Sequence, residues 1–372
     1  MGERRTLPTV PYGIFSQKIY DRSTQSHQVV KAQLELTYRC NLRCRHCYTD
    51  PYNTTQYFPR ELTVDELYRL FDELQDLGVI WLNLSGGDIF MHPHFSEIYE
   101  RAHRLGFLLQ LYTNGTLFTR GVIQRLQAMP PFTIDISCHT VNEARFDWFT
   151  QVPGSYRAFL RGMVLLQESG LPFTLKTKLM NWNKDELNDL RIFTESFGQS
   201  FEYTTSLSPR LDGDCSSLTY RISAEDLRAI GQSERDAEQD EPCGSESLVG
   251  RPEHDRLFRC GCGTNTIHIN AWGELSTCTF QYETRVSLRQ VSLREAVAQV
   301  FTDVRSLHYQ HNTPCRSCTL HRFCDKQPTQ ARWEVGSPDA PIPYACDVAH
   351  TRAQTAGQDP LHHPLHNEPG RS

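Results

Sequence analysis

The sequence contains no run of 18 apolar residues and no apolar segment behind its charged start, so it offers neither a membrane-spanning helix nor a secretory signal. A basic surplus is also missing. Lys and Arg number 38 against 44 Asp and Glu, and the net charge of −6 gives no cationic surface for nucleic acid or an anionic membrane. Nor are the cysteines spread as in a small disulfide framework. There are thirteen within 372 residues, most of them in tight groups, which points to metal centres in a reducing, cytoplasmic compartment. A chain of this length predicts two modules rather than one core.

What is present centres on Thr37-Tyr-Arg-Cys40-Asn-Leu-Arg-Cys44-Arg-His-Cys47-Tyr-Thr-Asp50. Three cysteines share one loop, with three and then two residues between them. Lys31–Thr37 runs into that loop with Leu34 and Leu36 on one face, as a strand entering a core does. Thiolates this close converge on one metal centre. A tetrahedral zinc site or a fully ligated iron–sulfur cube wants four ligands. The loop therefore either borrows a fourth ligand or leaves one metal position open.

Around the loop, apolar periodicity alternates between strand and helix. Thr63-Val-Asp-Glu66 is a capping box, followed by Leu67, Leu70, Phe71, Leu74 and Leu77 on one helical face. Strands are predicted to start near residues 31, 79, 107, 132, 173 and 201. Helices are predicted over 95–105, 119–129, 156–167 and 185–197. Six strands with helices between them imply a parallel sheet with right-handed crossovers. The expected fold class is α/β, a partial (β/α)6 TIM-like barrel with functional groups at the carboxyl ends of its strands. The cysteine loop, Gly86-Gly87-Asp88, Asn114 and Ser137 all fall at such ends.

The domain reading runs as follows: an extension over 1–30 with a small hairpin at Tyr12–Tyr20, the barrel over 31–207, and a linker over 208–258. A cysteine-rich domain then covers 259–350, and a disordered tail covers 351–372. Within the linker, Ser223-Ala-Glu-Asp226 opens a short helix and Glu234–Glu241 is solvated. In the third module, Thr266–Asn270 and Glu274–Phe280 flank a turn at Ala271-Trp-Gly273 and read as a hairpin. Helix 292–307 follows, opened by the box Ser292-Leu-Arg-Glu295.

The three-cysteine spacing resembles the signature of the radical S-adenosylmethionine (radical SAM) enzymes. That resemblance implies a [4Fe–4S] cluster held by Cys40, Cys44 and Cys47, whose open iron chelates S-adenosylmethionine (SAM). It also implies reductive cleavage to a 5′-deoxyadenosyl radical, with a flavodoxin or ferredoxin as electron donor. Gly86-Gly87-Asp88 resembles the Gly-Gly-Glu motif whose backbone holds the methionine amino group, with Asp in place of Glu. His46 occupies the usually aromatic position near the adenine. Asn114 and Ser137 match positions used for ribose or carboxylate contacts.

Downstream, ten residues separate Cys262 from Gly273 and four separate Gly273 from Cys278. Cys315-x2-Cys318-x5-Cys324 follows, and then Cys346. The order of hairpin, helix and cysteine knuckle resembles the SPASM extension of radical SAM peptide-modifying enzymes, which implies one or two auxiliary [4Fe–4S] clusters. Cys315, Cys318, Cys324 and Cys346 match one complete set. Cys260, Cys262 and Cys278 match a second, incomplete one, because Pro328 stands where its last ligand belongs. The expectation is three cysteines with an open or exchangeable iron, the alternatives being Asp325 or His321 as fourth ligand or no cluster there. Zinc in the knuckle is the alternative.

Outside these sets, Cys138 follows a strand and could face the cavity as a proton or hydrogen-atom donor; the alternative is a buried inert thiol. Cys215 and Cys243 have no assignment, and His350, His362, His363 and His366 belong to the tail. The resemblance implies an enzyme acting on a peptide or protein, most directly a thioether or carbon–carbon crosslink in a ribosomal precursor peptide. It also permits formylglycine formation on a sulfatase or peptide decarboxylation. An iron–sulfur electron carrier without radical chemistry is the competing class.

Overall fold

The computed structural model describes residues 10–237, 255–258, 263–281 and 283–357. Cys243, Cys260, Cys262, His362, His363, His366 and part of the acidic run lie outside the described residues.

The chain opens with helix α1 (Tyr12–Ser26) and then enters β1 (Lys31–Thr37). Alternation follows: α2 (Val64–Leu77), β2 (Trp81–Gly86), α3 (Phe95–Arg104), β3 (Leu108–Thr113), α4 (Arg120–Ala128) and β4 (Thr133–Ser137). Two helices, α5 (Glu143–Thr150) and α6 (Ser155–Ser169), precede β5 (Phe173–Lys178). Helix α7 (Leu187–Glu195) and the two-residue β6 (Tyr203–Thr204) complete the run. Helix α8 (Ala224–Ala237), β7 (Thr266–Ile269), β8 (Glu274–Ser276) and β9 (Val286–Ser287) come next. Helices α9 (Leu293–Ser306), α10 (Pro314–Ser317), α11 (Pro328–Val335) and α12 (Pro343–Thr355) end the described chain.

Among the described residues, nine strands line up in the order β6-β5-β4-β3-β2-β1-β7-β8-β9. Pairing is parallel from β6 through β1 to β7, and antiparallel in β7-β8-β9. The outer face carries Leu34, Leu36, Leu82, Leu84, Leu109, Leu111, Ile134 and Ile136, all buried. Onto it pack Leu67, Phe71 and Leu74 of α2, Ile98 of α3, Leu126 of α4 and Phe159 and Leu166 of α6. Each such side chain contributes about 1.5–3 kcal/mol on leaving water. The inner face is polar. In register across β7, β1, β2 and β3 stand His268, Gln33, Asn83 and Gln110, and the period of two that buries leucines outside puts these inside.

Three expectations need correction. The hairpin in the extension is instead the helix α1, which starts behind Pro11 and ends at His27 in a left-handed conformation. Tyr12–Tyr20 carries no strand-like alternation, and Gln17 reaches Asp21 one turn on, as helical spacing allows. The 266–276 hairpin is not separate from the barrel sheet, because β7 pairs with β1 in parallel from Lys31↔Thr266 to Leu34↔Ile269. The tail does not begin at 351: α12 continues to Thr355 and buries Ala349, Thr351 and Ala353.

Candidate metal and cofactor centre

The cysteine loop leaves the carboxyl end of β1 and is held by side chains on every side. Glu61, nearly buried, accepts from Thr37 Oγ1 at 2.7 Å, the Tyr38 N–H at 2.9 Å and Arg39 Nε at 3.0 Å. Asn53 accepts the Cys40 N–H at 3.1 Å and donates to the Cys40 carbonyl at 2.9 Å. The end of α5 pins the far side, where the N–H groups of Arg43 and Arg45 donate to the Thr150 and Phe149 carbonyls.

The three thiols share a small volume. Burial pushes the Cys40 thiol up to about 12, helped by Asp88 and Cys47. Cys44 is driven well above the ordinary thiol range, first by burial and then by Cys47 and Cys40. Donors nevertheless point at the sulfurs: Cys40 Sγ accepts the Leu42 N–H at 3.4 Å and Asn114 Nδ2 at 3.7 Å, and Cys47 Sγ meets Thr49 Oγ1 at 3.1 Å. Such a group of thiols stays protonated when empty, and a cationic centre reverses this by binding the thiolates outright. The donor set thus fits an iron–sulfur cluster. Among the described residues, no trio of His, Cys, Asp or Glu encloses a single metal ion.

Gly86 and Gly87 lie directly on the backbone that enters this loop. A Cβ on Gly86 would stand 2.1 Å from the Thr37 carbonyl oxygen, and one on Gly87 would stand 2.3 Å from that of Arg39. Gly86 also has φ +131°, which L side chains rarely adopt. The N–H groups of Gly87 and Asp88 are taken by the Thr37 and Arg39 carbonyls, at 2.7 and 2.8 Å. What the pair can offer a ligand is carbonyl oxygen, the right partner for an ammonium group. The Asp88 side chain faces inward. It accepts from Thr113 Oγ1, the Asn114 N–H and the Phe90 N–H, and burial holds its carboxyl above the usual range.

Asn114 reaches the cysteine loop, donating to Asn41 Oδ1 at 2.9 Å as well as to Cys40. His46 packs edge-on against His139 at 5.0 Å and beside Phe149 at 4.8 Å. Burial keeps its imidazole neutral, and its buried Nδ1 has no partner among the described residues. Ser137 is exposed at the end of β4, next to Lys176 in register on β5. Cys138 does not face the cavity. One residue past Ser137, it turns to the opposite face and is fully buried in the apolar core, with its thiol pushed up to about 12 by burial.

At the other end of the chain, Cys315 lies in α10, Cys318 and Cys324 flank a short 3-10 turn, and Cys346 sits in the first turns of α12. Burial lifts Cys346 to about 12, and Cys324, Cys315 and Cys318 add to it, so the four sulfurs stand together. Cys318 and Cys324 each accept a backbone N–H from two residues on, Leu320 at 3.3 Å and Lys326 at 3.5 Å, as Cys40 does. Asp325 pairs with Arg352 at 2.7 Å, and His321 Nδ1 lies 3.1 Å from the Cys318 carbonyl. Cys278 follows β8, and Pro328 opens α11.

Sequence reasoning missed Glu35, Asn53, Glu61 and His139. Only Glu35 left a signal, as a charge at an inward position of a strand whose outward positions are leucines.

Residues 34–193 match the Radical SAM superfamily. The chain is 31% identical over 180 residues to the AdoMet-dependent heme synthase of Methanosarcina barkeri, covering 48% of this chain and 51% of that protein. It thus spans about half the length of the curated heme synthases it matches. To the mycofactocin maturase MftC of Mycobacterium ulcerans it is 25% identical over 331 residues, covering 83% and 85% of the two chains. The crystal structure of Streptococcus suis SuiB bound to S-adenosylmethionine shares its fold, with TM-score 0.64 and 13% identity, covering 93% of this chain and 83% of that one. The fold and the three-cysteine loop agree with the matched segment: residues 34–193 of this chain are similar to the Radical SAM superfamily.

Proposed function

We propose that this enzyme modifies a ribosomally made peptide, forming a thioether or carbon–carbon crosslink between its side chains. Its cofactors are those of the superfamily, a [4Fe–4S] cluster and SAM. The observation that carries the reading is the seating of Gly86 and Gly87 on the backbone of Thr37–Arg39, which brings this turn against the chain leading into the cysteine loop. In this reading Cys40, Cys44 and Cys47 hold the cluster, and the Gly86–Gly87 carbonyls hold the methionine ammonium group. His46 lies along the adenine, and Asn114 and Ser137 reach the ribose or carboxylate. When bound, the cofactors supply a 5′-deoxyadenosyl radical that takes a hydrogen atom from a substrate carbon.

Cys315, Cys318, Cys324 and Cys346 are assigned to an auxiliary cluster, and Cys278 with Cys260 and Cys262 to a second, incomplete one. The barrel spans 31–207 and the cluster region 259–350. A flavodoxin or ferredoxin delivers electrons, and the enzyme works in the cytoplasm. The peptide substrate is supported by the maturase match over 83% of the chain. A tetrapyrrole substrate is the second reading, favoured by the 31% identity to a heme synthase over 48% of it.

Anaerobic reconstitution with iron, sulfide and dithionite should yield 5′-deoxyadenosine from SAM. Co-expression with a short reading frame encoded beside this one should give a peptide lighter by two hydrogens. An unchanged peptide mass together with turnover of an iron porphyrin would decide for the second reading.

A further inference from the structure

Glu35 on β1 and His268 on β7 project from the inner face of the sheet, and neither side chain is more than 3% exposed. His268 Nε2 lies 3.6 Å from Glu35 Oε2. Two tyrosines share this carboxylate. Tyr38, two residues before Cys40, donates its phenol to Glu35 Oε2 at 2.7 Å. Tyr48, the residue after Cys47, hydrogen-bonds to the same group. One buried carboxylate therefore clasps both ends of the cysteine loop.

On the other side, His268 Nδ1 meets Ser276 Oγ at 3.2 Å, and that hydroxyl donates to the Cys278 carbonyl at 2.9 Å. The contacts run from the cysteine loop to the residue proposed for the second cluster region. Their central link is the 3.6 Å charge approach of Glu35 to His268, whose Nε2 makes no hydrogen bond among the described residues. Burial alone would push the Glu35 carboxyl up, but His268, Tyr38 and Tyr48 hold it below the usual range, so the charge persists inside the fold. A buried charge without its partner is expensive, and this makes the linkage stiff. Glu35 Oε1 has no partner among the described residues, so the links named here are what hold this carboxylate within them.

We propose that Glu35 and His268 form one positioning unit, which fixes the Cys40–Cys47 loop and the Cys278 hairpin against each other. Neither needs to touch a cofactor; each acts through the tyrosines or through Ser276. The idea deepens the proposed function, since it treats the two cysteine regions as parts of one machine.

Hydrogen exchange on reconstituted full-length protein tests it. Glu35→Gln keeps an oxygen for Tyr38 and removes the charge. It should speed amide exchange roughly tenfold, in both 38–48 and 266–278, as loss of a charged hydrogen bond does. His268→Gln should do the same in both segments, and the double variant should be no worse than either single one. Where Glu35→Gln fails to fold, Ser276→Ala leaves Glu35 and His268 in place and should still speed exchange at 38–48. The EPR signal of the reduced first-loop cluster should also shift in His268→Gln, although His268 lies in the hairpin.

Exchange that rises only in the segment carrying the substitution, additive effects in the double variant, or an unmoved EPR signal would each overturn the proposal. Exchange is read without turnover, so an absence of 5′-deoxyadenosine counts against the proposed function and leaves this result standing.

Discussion

Asn114 donates its backbone N–H to the buried Asp88 carboxylate at 2.9 Å, which locks the turn after β3 to the end of β2. The same carboxylate takes the Thr113 hydroxyl and the Phe90 N–H. Asp88→Ala strands all three donors and should cost about 2–4 kcal/mol in urea unfolding. Because Asn114 also reaches Cys40, 5′-deoxyadenosine formation should fall with it.

Asp88 also gives a pH signature. Burial raises its folded-state pKa above the unfolded value, so its contribution is full below the unfolded pKa and is lost as pH rises through the folded one. Asp88→Asn cannot titrate. The stability of wild type relative to Asp88→Asn should therefore improve as pH falls from about 7 toward about 4. A flat difference across that range, measured by urea melts, would count against a raised pKa.

Gly87→Ala should be far worse than its size suggests. The new methyl would meet the Arg39 and Tyr38 carbonyl oxygens at 2.3 and 2.8 Å, and both are backbone. The chain entering the cysteine loop must move, so iron incorporation should drop with stability. Gly121→Ala on α4 is the control, since its nearest neighbour would be 3.9 Å away. It should be neutral or slightly stabilising.

Much of this arrangement was legible beforehand because strand alternation and capping are local. Thr63 and Glu66 form the reciprocal cap that their spacing predicts, and Ser292 and Glu295 do the same. The pairing of β7 with β1 was not legible, because more than 200 residues separate Lys31 from Thr266 and short apolar strands do not name their partners. Helix α5 escaped notice as well, since Glu143–Thr150 puts apolar residues on several faces. The cysteines announced the site by spacing, whereas Asn53, Glu61 and His139 enter it only through tertiary contact.

The cysteine assignments separate cleanly by iron content. Cys40→Ala, Cys44→Ala or Cys47→Ala should abolish 5′-deoxyadenosine formation. Cys346→Ala should remove about four irons per chain and leave SAM cleavage in place. Cys215→Ala should leave both unchanged, because that thiol packs near Trp333 and Glu334 and belongs to neither cysteine set. Iron and sulfide assays with SAM turnover on the five variants check this directly.

The ion pair of Arg221 with Glu334 ties the end of the barrel to the cysteine-rich region. Two parallel bonds of 2.6 and 2.7 Å join them, with side chains only 13% and 8% exposed. Arg221 also donates to the Leu207 carbonyl at 3.0 Å and stacks 4.5 Å from the ring of Tyr344, two residues before Cys346. Glu334→Ala leaves a guanidinium buried without its counter-charge, which should cost about 3–5 kcal/mol in denaturant unfolding. Replacing both residues, as Arg221→Met with Glu334→Leu, removes the unpaired charge and should recover most of that loss. Since Tyr344 leads into Cys346, the single variant should also lose auxiliary iron and the double variant should regain it. Stability that recovers without iron would mean that the guanidinium, through its contact with Tyr344, orders the turn that presents Cys346.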